Sequence, residues 1–388
     1  MQSYGTFVSE RIQIIKVQIV LDGTEACLPK FAKKVLLLLF HLLLNLPNLL
    51  EFLNPLVLNL ERWADARNEH SFWCNKASAP YMRMEGWIAL TRTTTLGAHP
   101  RRVTLNSKDY VVWRGGGSGH GSPDVKILPD ACKHRGASLS LGKVLSDGSV
   151  ECPYHGWKYT EKKVCRPWTD CADQLQIEFD KKEQDGLLWV RPKGLEGPEP
   201  PEVPHVLEPG FNTTWFETTI EQSAQMIIEN GIDPCHASWV HANPLGFGTA
   251  GEKPTNVKHK GHTIEFDYVP NRDALSTKLF GLSTTHNFHT FVLPYTTWSD
   301  VVIHGGKILM TYVTLCPVSE FETKMFVGFS QNFGVPSSLF VLMGKAIVEQ
   351  DRAILENLDS SFRFKGIPGE HDELVETYRK SLHELIFK

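Results

Sequence analysis

The sequence predicts an α+β chain in three parts: a helical, apolar N-terminal extension (1–78), an all-β domain (79–195) and, beyond a linker (196–210), a strand-dominated domain closed by helices (211–388). Short runs rich in β-branched and aromatic residues recur from 87 to 190. They recur again from about 212 to 335, for example at 213–220, 263–268, 307–315 and 323–329. A stretch rich in Pro, Gly and Glu at 194–210 separates the two sets. Helical character is left to the N-terminal region, a short motif near 229–241, and segments at about 340–362 and 371–387.

The extension is dominated by residues 35–60, VLLLLFHLLLNLPNLLEFLNPLVLNL, which follow Lys33-Lys34 and carry a single charge, Glu51. The segment is long enough to span a bilayer. Pro47 and Pro55 would kink it, and His41, Asn45, Asn48 and Glu51 line up at helical spacing as one polar stripe. The stripe favours a helix lying in a membrane interface, with packing on protein and a true span as the other readings. No secretory signal stands out at the N-terminus.

In the all-β domain, Trp87-Ile88-Ala89-Leu90 and Tyr110-Val111-Val112-Trp113 read as strands, and Leu187-Leu188-Trp189-Val190 as the closing one. The run GGGSGHGS at 115–122 reads as a turn. It fails as a phosphate loop because no Lys-Ser/Thr pair and no helix follow it.

Two ligand pairs stand between these strands: Cys132-Lys133-His134 and, 17 residues later, Cys152-Pro153-Tyr154-His155. A Rieske [2Fe–2S] centre needs two thiolates on one iron and two imidazoles on the other. Each half-site here offers one of each from a tight loop. A Cys2His2 zinc site usually pairs Cys with Cys and His with His, so C-x-H fits it poorly.

A second metal pattern follows at Asp233-Pro234-Cys235-His236 and His241, D-x-x-H-x4-H. Two His and one carboxylate on one face of an Fe(II) leave positions open for O2 and substrate. On a continuous helix, five residues turn the chain by about 500°, leaving the two imidazoles roughly 140° apart. The helix must therefore end or kink for them to converge, and Asp233-Pro234 suggests a restart just before His236. The missing carboxylate is sought in the amphipathic segment 349–359, where Asp351 is the leading candidate and Asp359 the fallback.

The stretches CKHRGASLSLGKV and CPYHGWKY resemble the Rieske motif of the ring-hydroxylating, non-heme iron oxygenases. The loops lack the additional Cys pair of respiratory Rieske proteins. ENGIDPCHASWVH, with Leu293-Pro294 and Pro317-Val318, resembles the single-component branch that includes chlorophyllide a oxygenase, pheophorbide a oxygenase and vanillate O-demethylase. The resemblance implies a helix-grip (START-like) antiparallel sheet for the second domain. It implies that Cys132, His134, Cys152 and His155 hold the cluster and that His236, His241 and Asp351 hold a mononuclear Fe(II). Asp233 then links the iron to the Rieske centre of a neighbouring subunit, and Asn230 lies near the iron. Asn230 reads equally as a helix-capping amide. Glu349-Gln350-Asp351 departs from the family's adjacent acidic pair by the Gln between the acids.

The activity so implied is hydroxylation or demethylation of a bulky, mostly apolar organic substrate (aromatic, terpenoid, sterol or tetrapyrrole) with O2 as co-substrate. A homotrimer follows from the resemblance, because a head-to-tail contact must close. No dinucleotide fingerprint or plant-type ferredoxin spacing is present, so a separate ferredoxin or flavin reductase is expected to supply electrons. Met226, Leu245, Phe247, Phe280, Thr290 and Phe291 are candidate pocket residues. A pure electron carrier and a membrane-associated redox sensor or scaffold are the competing classes.

A formal net charge of −4 gives no electrostatic case for nucleic acid. Of the eight Cys, Cys27, Cys74, Cys165, Cys171, Cys235 and Cys316 show no disulfide-like arrangement, which points to a reducing intracellular compartment, cytoplasm or plastid, with membrane association open.

Overall fold

The computed structural model describes residues 86–359, 369 and 372–387, apart from 98, 116–123, 174–178, 196–197, 234, 242–253 and 269–283. The extension, with its apolar segment 35–60, lies outside the described residues. So do most of the Gly-rich turn and Leu245, Phe247 and Phe280.

The first part holds three small antiparallel sheets. Strands β1 (Ile88–Arg92), β10 (Phe179–Gln184) and β11 (Leu187–Pro192) form one, in the order β1-β11-β10. Strands β2 (Arg101–Leu105), β3 (Lys108–Arg114) and β4 (Val125–Pro129) form the second. The third is a meander of short strands: β5 (Lys143–Val144), β6 (Val150–Glu151), β7 (Lys158–Tyr159), β8 (Lys163–Cys165) and β9 (Cys171–Asp173). The two Cys-His loops connect β4 to β5 and β6 to β7. A compact core of Val111, Trp113, Leu128, Leu139, Val150, Tyr159 and Val164 lies beneath them.

One expectation fails in this part. Cys165 and Cys171 form a disulfide. The hairpin register sets Cys165 directly opposite Cys171 across β8 and β9, a pairing that six residues of separation conceal when no strand–turn–strand is assigned there. These two thiols therefore give no support to a reducing compartment.

The second part is a seven-stranded antiparallel sheet. Its strands are β12 (Asn212–Ile220), β13 (Thr255–Lys260), β14 (Thr263–Tyr268), β15 (Thr284–Val292), β16 (Thr296–Ile303), β17 (Lys307–Ser319) and β18 (Glu322–Gln331). The order is β12-β18-β17-β16-β15-β14-β13. Helices α1 (Ala224–Ile232) and α2 (His236–Val240) follow β12, and α3 (Ser337–Leu355) and α4 (Glu373–Phe387) follow β18.

Alternation along the strands assigns the two faces. Phe216, Phe329, Thr297, His289 and Phe291 share the helix side. Phe329 meets Phe340 of α3, and Phe291 meets Tyr378 of α4. Helix α3 approaches so closely that a Cβ on Gly344 would lie 2.5 Å from Phe329 Cζ and 2.9 Å from Phe216 Cε1. Thr290, by contrast, aligns with Trp298, Tyr312 and Trp215 on the opposite face, so it is not a pocket residue on the helix side.

That opposite face packs on the first part. Trp87, Leu90, Leu105, Tyr110 and Leu188 join Met310, Tyr312 and Phe326 in a single buried cluster. Asn106 and Ser107, both at positive φ, form the two-residue turn between β2 and β3. Their N–H groups donate to Pro317 O (2.9 Å) and Val318 O (2.7 Å), each bond contributing about 1 kcal/mol net.

Two candidate metal centres

The two Cys-His loops share one backbone design. Cys132 N donates to Ala137 O and Gly136 N returns a bond to Cys132 O, while Cys152 N donates to Trp157 O and Gly156 N to Cys152 O, all at 2.7–3.1 Å. Gly136 (φ 71°) and Gly156 (φ 68°) occupy the left-handed position that closes each loop, where a Cβ is strained.

The design splits the donors by depth. Cys132 and Cys152 are 3% and 1% exposed, while the rings of His134 and His155 lie at the surface with centroids 4.6 Å apart. Burial, together with the neighbouring Cys132, pushes the Cys152 thiol up. Two thiolates at the base and two imidazoles at the rim fit the donor set of a Rieske cluster. Trp157 stacks on His134 (5.0 Å, 1°), and the Arg166 guanidinium covers Trp157 at 5.5 Å.

Tyr159, not identified as a site residue from sequence, touches this centre. Lys133 N donates to Tyr159 Oη (3.0 Å), and Oη lies 3.1 Å from Cys132 Sγ. A Cys132 that ligates as thiolate has no proton to give, so the phenol would then be the donor of this contact. Burial and the adjacent Cys132 push the phenol well above its ordinary range, so it remains a donor. Its signal in the sequence is only its place in a two-residue strand after the second loop.

The second centre is built by a helix break. Ser223 Oγ caps α1 by accepting from Met226 N (3.3 Å). The helix stops at Ile232, Asp233 is extended, and its Oδ1 accepts from Cys235 N (2.8 Å). His236 then opens the short α2, and His241 stands just past its end at φ −104°, ψ 15°. The break expected from the five-residue offset is present, and it brings the rings to 5.3 Å between centroids.

Asp351 of α3 completes the group. Its Oδ1 lies 3.7 Å from His236 Nε2 and 3.3 Å from His241 Nε2, and ligating atoms of all three residues fall within 4.8 Å of one another. Each ring is held from behind: His236 Nδ1 is 2.5 Å from Asp233 O, and His241 Nδ1 is 2.8 Å from Gln350 Oε1. Both partners are acceptors, so each Nδ1 carries the proton and each Nε2 lone pair faces inward. Burial works against a charge on His241, but Asp351 and Gln350 outweigh it and raise its pKa. Two inward lone pairs and a carboxylate on one side match a facial Fe(II) site.

The neighbours place the expected residues more finely. Asn230 Nδ2 donates to Asp351 Oδ1 (3.2 Å). The group holding His236 is the backbone carbonyl of Asp233, while its carboxylate accepts from Cys235 N just ahead of α2. Gln350, the residue that departs from the family pattern, holds His241. Asp359 lies exposed beyond the end of α3. Arg352 fixes α3 against β12 through Thr218 Oγ1 (2.6 Å) and Thr219 O, with Glu349 and Glu356 beside it. Met226 and Phe291 are buried.

Comparison with known proteins agrees with this layout. Residues 86–177 match the Rieske [2Fe-2S] domain, and residues 220–387 match the vanillate O-demethylase oxygenase C-terminal domain. Pheophorbide a oxygenase of rice (Oryza sativa subsp. japonica) is 27% identical over 215 residues, 46% of this chain and 40% of the rice protein. Methylxanthine N1-demethylase NdmA of Pseudomonas putida is 25% identical over 313 residues, 74% of this chain and 82% of NdmA. The structure of Pseudomonas putida CBB5 NdmA with caffeine superposes with a TM-score of 0.68 at 22% identity, covering 79% of this chain and 91% of that one. The chain thus spans two fifths of the rice relative and four fifths of the bacterial one. It joins a Rieske [2Fe-2S] domain to a vanillate O-demethylase-type oxygenase domain, and belongs to the Rieske non-heme iron oxygenases.

Proposed function

We propose that the chain is the oxygenase component of a monooxygenase acting on a bulky, mostly apolar aromatic substrate, which it hydroxylates or demethylates. Cys132, His134, Cys152 and His155 hold the [2Fe-2S] cluster, and His236, His241 and Asp351 hold the mononuclear iron. The observation that carries this reading is the inward set of His236, His241 and Asp351, with each imidazole fixed in the ligating tautomer. When bound, the two groups supply one-electron transfer and O2 activation.

The chain's own residues do the rest. Asn230 and Gln350 hold the carboxylate and the His241 ring, so no reorganisation is needed for ligation. The surface position of His134 and His155 makes them the outlet of the first centre. Exposed Leu141, Tyr154 and Trp168 lie on the same part, and Trp239 of α2 is 85% exposed. Such apolar groups suit a closed head-to-tail trimer in which the Rieske rim of one subunit meets Asp233 of the next. A separate ferredoxin or flavin reductase supplies the electrons. The pheophorbide-type relative is named as chloroplastic, which makes a plastid one candidate location. No helix among the described residues is long and apolar enough to cross a membrane, and contact with a membrane through residues 35–60 is part of the proposal.

Iron and acid-labile sulfide per chain, with electron paramagnetic resonance of the dithionite-reduced protein, test the reading. Three irons and two sulfides with a rhombic Rieske signal are expected. Two irons with the same signal would leave the second centre without metal and favour a redox sensor or scaffold.

A further inference from the structure

Where the turn between β10 and β11, the interdomain linker and the first strand of the large sheet meet, the structure leaves an open cavity of about 380 Å³. None of the residues that line it belongs to either metal centre. Asp185 (φ 53°) and Gly186 (φ 76°) form the turn. The linker is tied to it: Gln184 Nε2 donates to Pro201 O (2.8 Å), and Val203 N donates to Asp185 Oδ2 (3.4 Å). Junctions between domains are favoured places for ligand pockets, and this volume lies within their usual range of about 300–1,000 Å³.

The lining combines aromatic surface with negative charge. Phe211 and Trp215 supply rings and Val206 an aliphatic side chain, while Asp185 and Glu208 bring carboxylates. The rings are fixed by their neighbours. Phe211 stacks on His205 at 4.2 Å and 11°. Trp215 meets Tyr312 edge-on at 5.0 Å and 84°, and it lies so close to β18 that a Cβ on Gly328 would be 2.9 Å from Trp215 Cε3. The charge, by contrast, has no Lys or Arg opposite it. Glu208 contacts the His205 imidazole (2.5 Å), and Lys182 is paired with Glu199 (2.9 Å). Among the described residues, no Lys or Arg nitrogen lies within salt-bridge distance of the Asp185 or Glu208 carboxylate.

We infer that this cavity binds a small organic ammonium ion with an apolar body, an arylalkylamine for example. The ammonium group sits beside Asp185 and Glu208, and the body lies against Phe211 and Trp215. Aromatic faces attract cations, and rings already fixed leave little to order on binding. A hard metal ion fits less well, because Ca²⁺ takes about six to eight oxygen ligands and this lining is largely carbon. The inference is independent of the oxygenase reading, since no metal ligand takes part.

The test is calorimetric titration of the full-length holoenzyme, at neutral pH and low ionic strength, with 2-phenylethylamine and with 2-phenylethanol. The two probes are similar in size, and only the amine is charged. Wild type is expected to bind the amine about tenfold more tightly, the combined size of a cation–π contact and a partly exposed ion pair. Added salt should shrink the difference. Asp185→Asn keeps the turn and the oxygen facing Val203 N, and should remove most of the preference. Glu208→Gln, at the more exposed carboxylate, should remove less, and the double variant should have none. The cluster's visible absorbance checks that each variant is folded. Equal binding of the two probes by wild type, including no binding of either, overturns the inference. So does a preference that survives in the double variant, which would put the amine elsewhere on the protein.

Discussion

Asn230 and Asp351 stand 121 positions apart in sequence and share one hydrogen bond, from Nδ2 to Oδ1 over 3.2 Å. The bond ties α1 to α3 at the carboxylate that faces both imidazoles. Asn230→Ala is expected to lower the affinity of the second centre for Fe(II) by about 10-fold to 100-fold, the usual cost of losing such a support. Iron titration of apo-protein measures it, and an unchanged dissociation constant would show that Asp351 is held without Asn230.

Tyr159 should tune the first centre. If Cys132 holds the cluster as proposed, donation from Tyr159 to its Sγ would stabilise the more negative, reduced state. Tyr159→Phe removes the donor and is expected to lower the reduction potential by roughly tens of millivolts, the scale of one charge-assisted hydrogen bond after partial compensation. Protein-film voltammetry reads this directly, with sulfide content unchanged.

Asp233 has two parts with separate uses. Its carbonyl holds His236, and its carboxylate closes the turn ahead of α2 by accepting from Cys235 N. Asp233→Asn keeps an oxygen for the bond from Cys235 N and removes the charge. It should retain three irons per chain while single-turnover electron transfer from the reduced cluster falls by about 10²-fold or more, on the order of 3 kcal/mol. Normal transfer in Asp233→Asn would refute a charged bridge.

Gly344 is the point where α3 meets the sheet. A methyl group there would overlap the rings of Phe329 and Phe216. Gly344→Ala is expected to destabilise the fold by about 1–3 kcal/mol despite its better helix propensity. Urea unfolding measures this, and iron content should fall in parallel because Asp351 rides on the same helix.

The depressed pKa of His289 has a sign. The unfolded chain binds a proton near pH 6.5, and the folded chain only near pH 4. Stability from keeping this ring neutral is therefore fully present above pH 6.5 and is lost as the pH falls toward 4. Urea midpoints of wild type and His289→Phe should diverge across that window, with the wild type losing more. Parallel curves would contradict the burial of a neutral imidazole.

Much of this was legible in the sequence because metal chemistry restricts residue choice. The spacing from Cys132 to His155 has few other uses, and the five-residue offset of His236 and His241 demands a helix end, which α2 provides. Asp351 carried a further signal: it falls within the stripe Phe340, Gly344, Val348 and Leu355 that α3 buries, where a carboxylate is costly without partners. Other features were hidden because they depend on tertiary register. Tyr159 reaches Cys132 only through the folding of the meander, Cys165 meets Cys171 only once β8 and β9 pair, and Thr290 and His289 differ in face by one step of strand alternation.

Tyr312 and its neighbours on β17 share one core with Tyr110 and Val112 of β3, while Val111 and Trp113 of the same strand point into the second core beneath the Cys-His loops. Strand β3 thus belongs to both cores and couples the two described parts. Heating should give a single calorimetric endotherm in which the cluster's visible absorbance and the sheet's circular dichroism vanish together, even though the chemistry is divided between two centres.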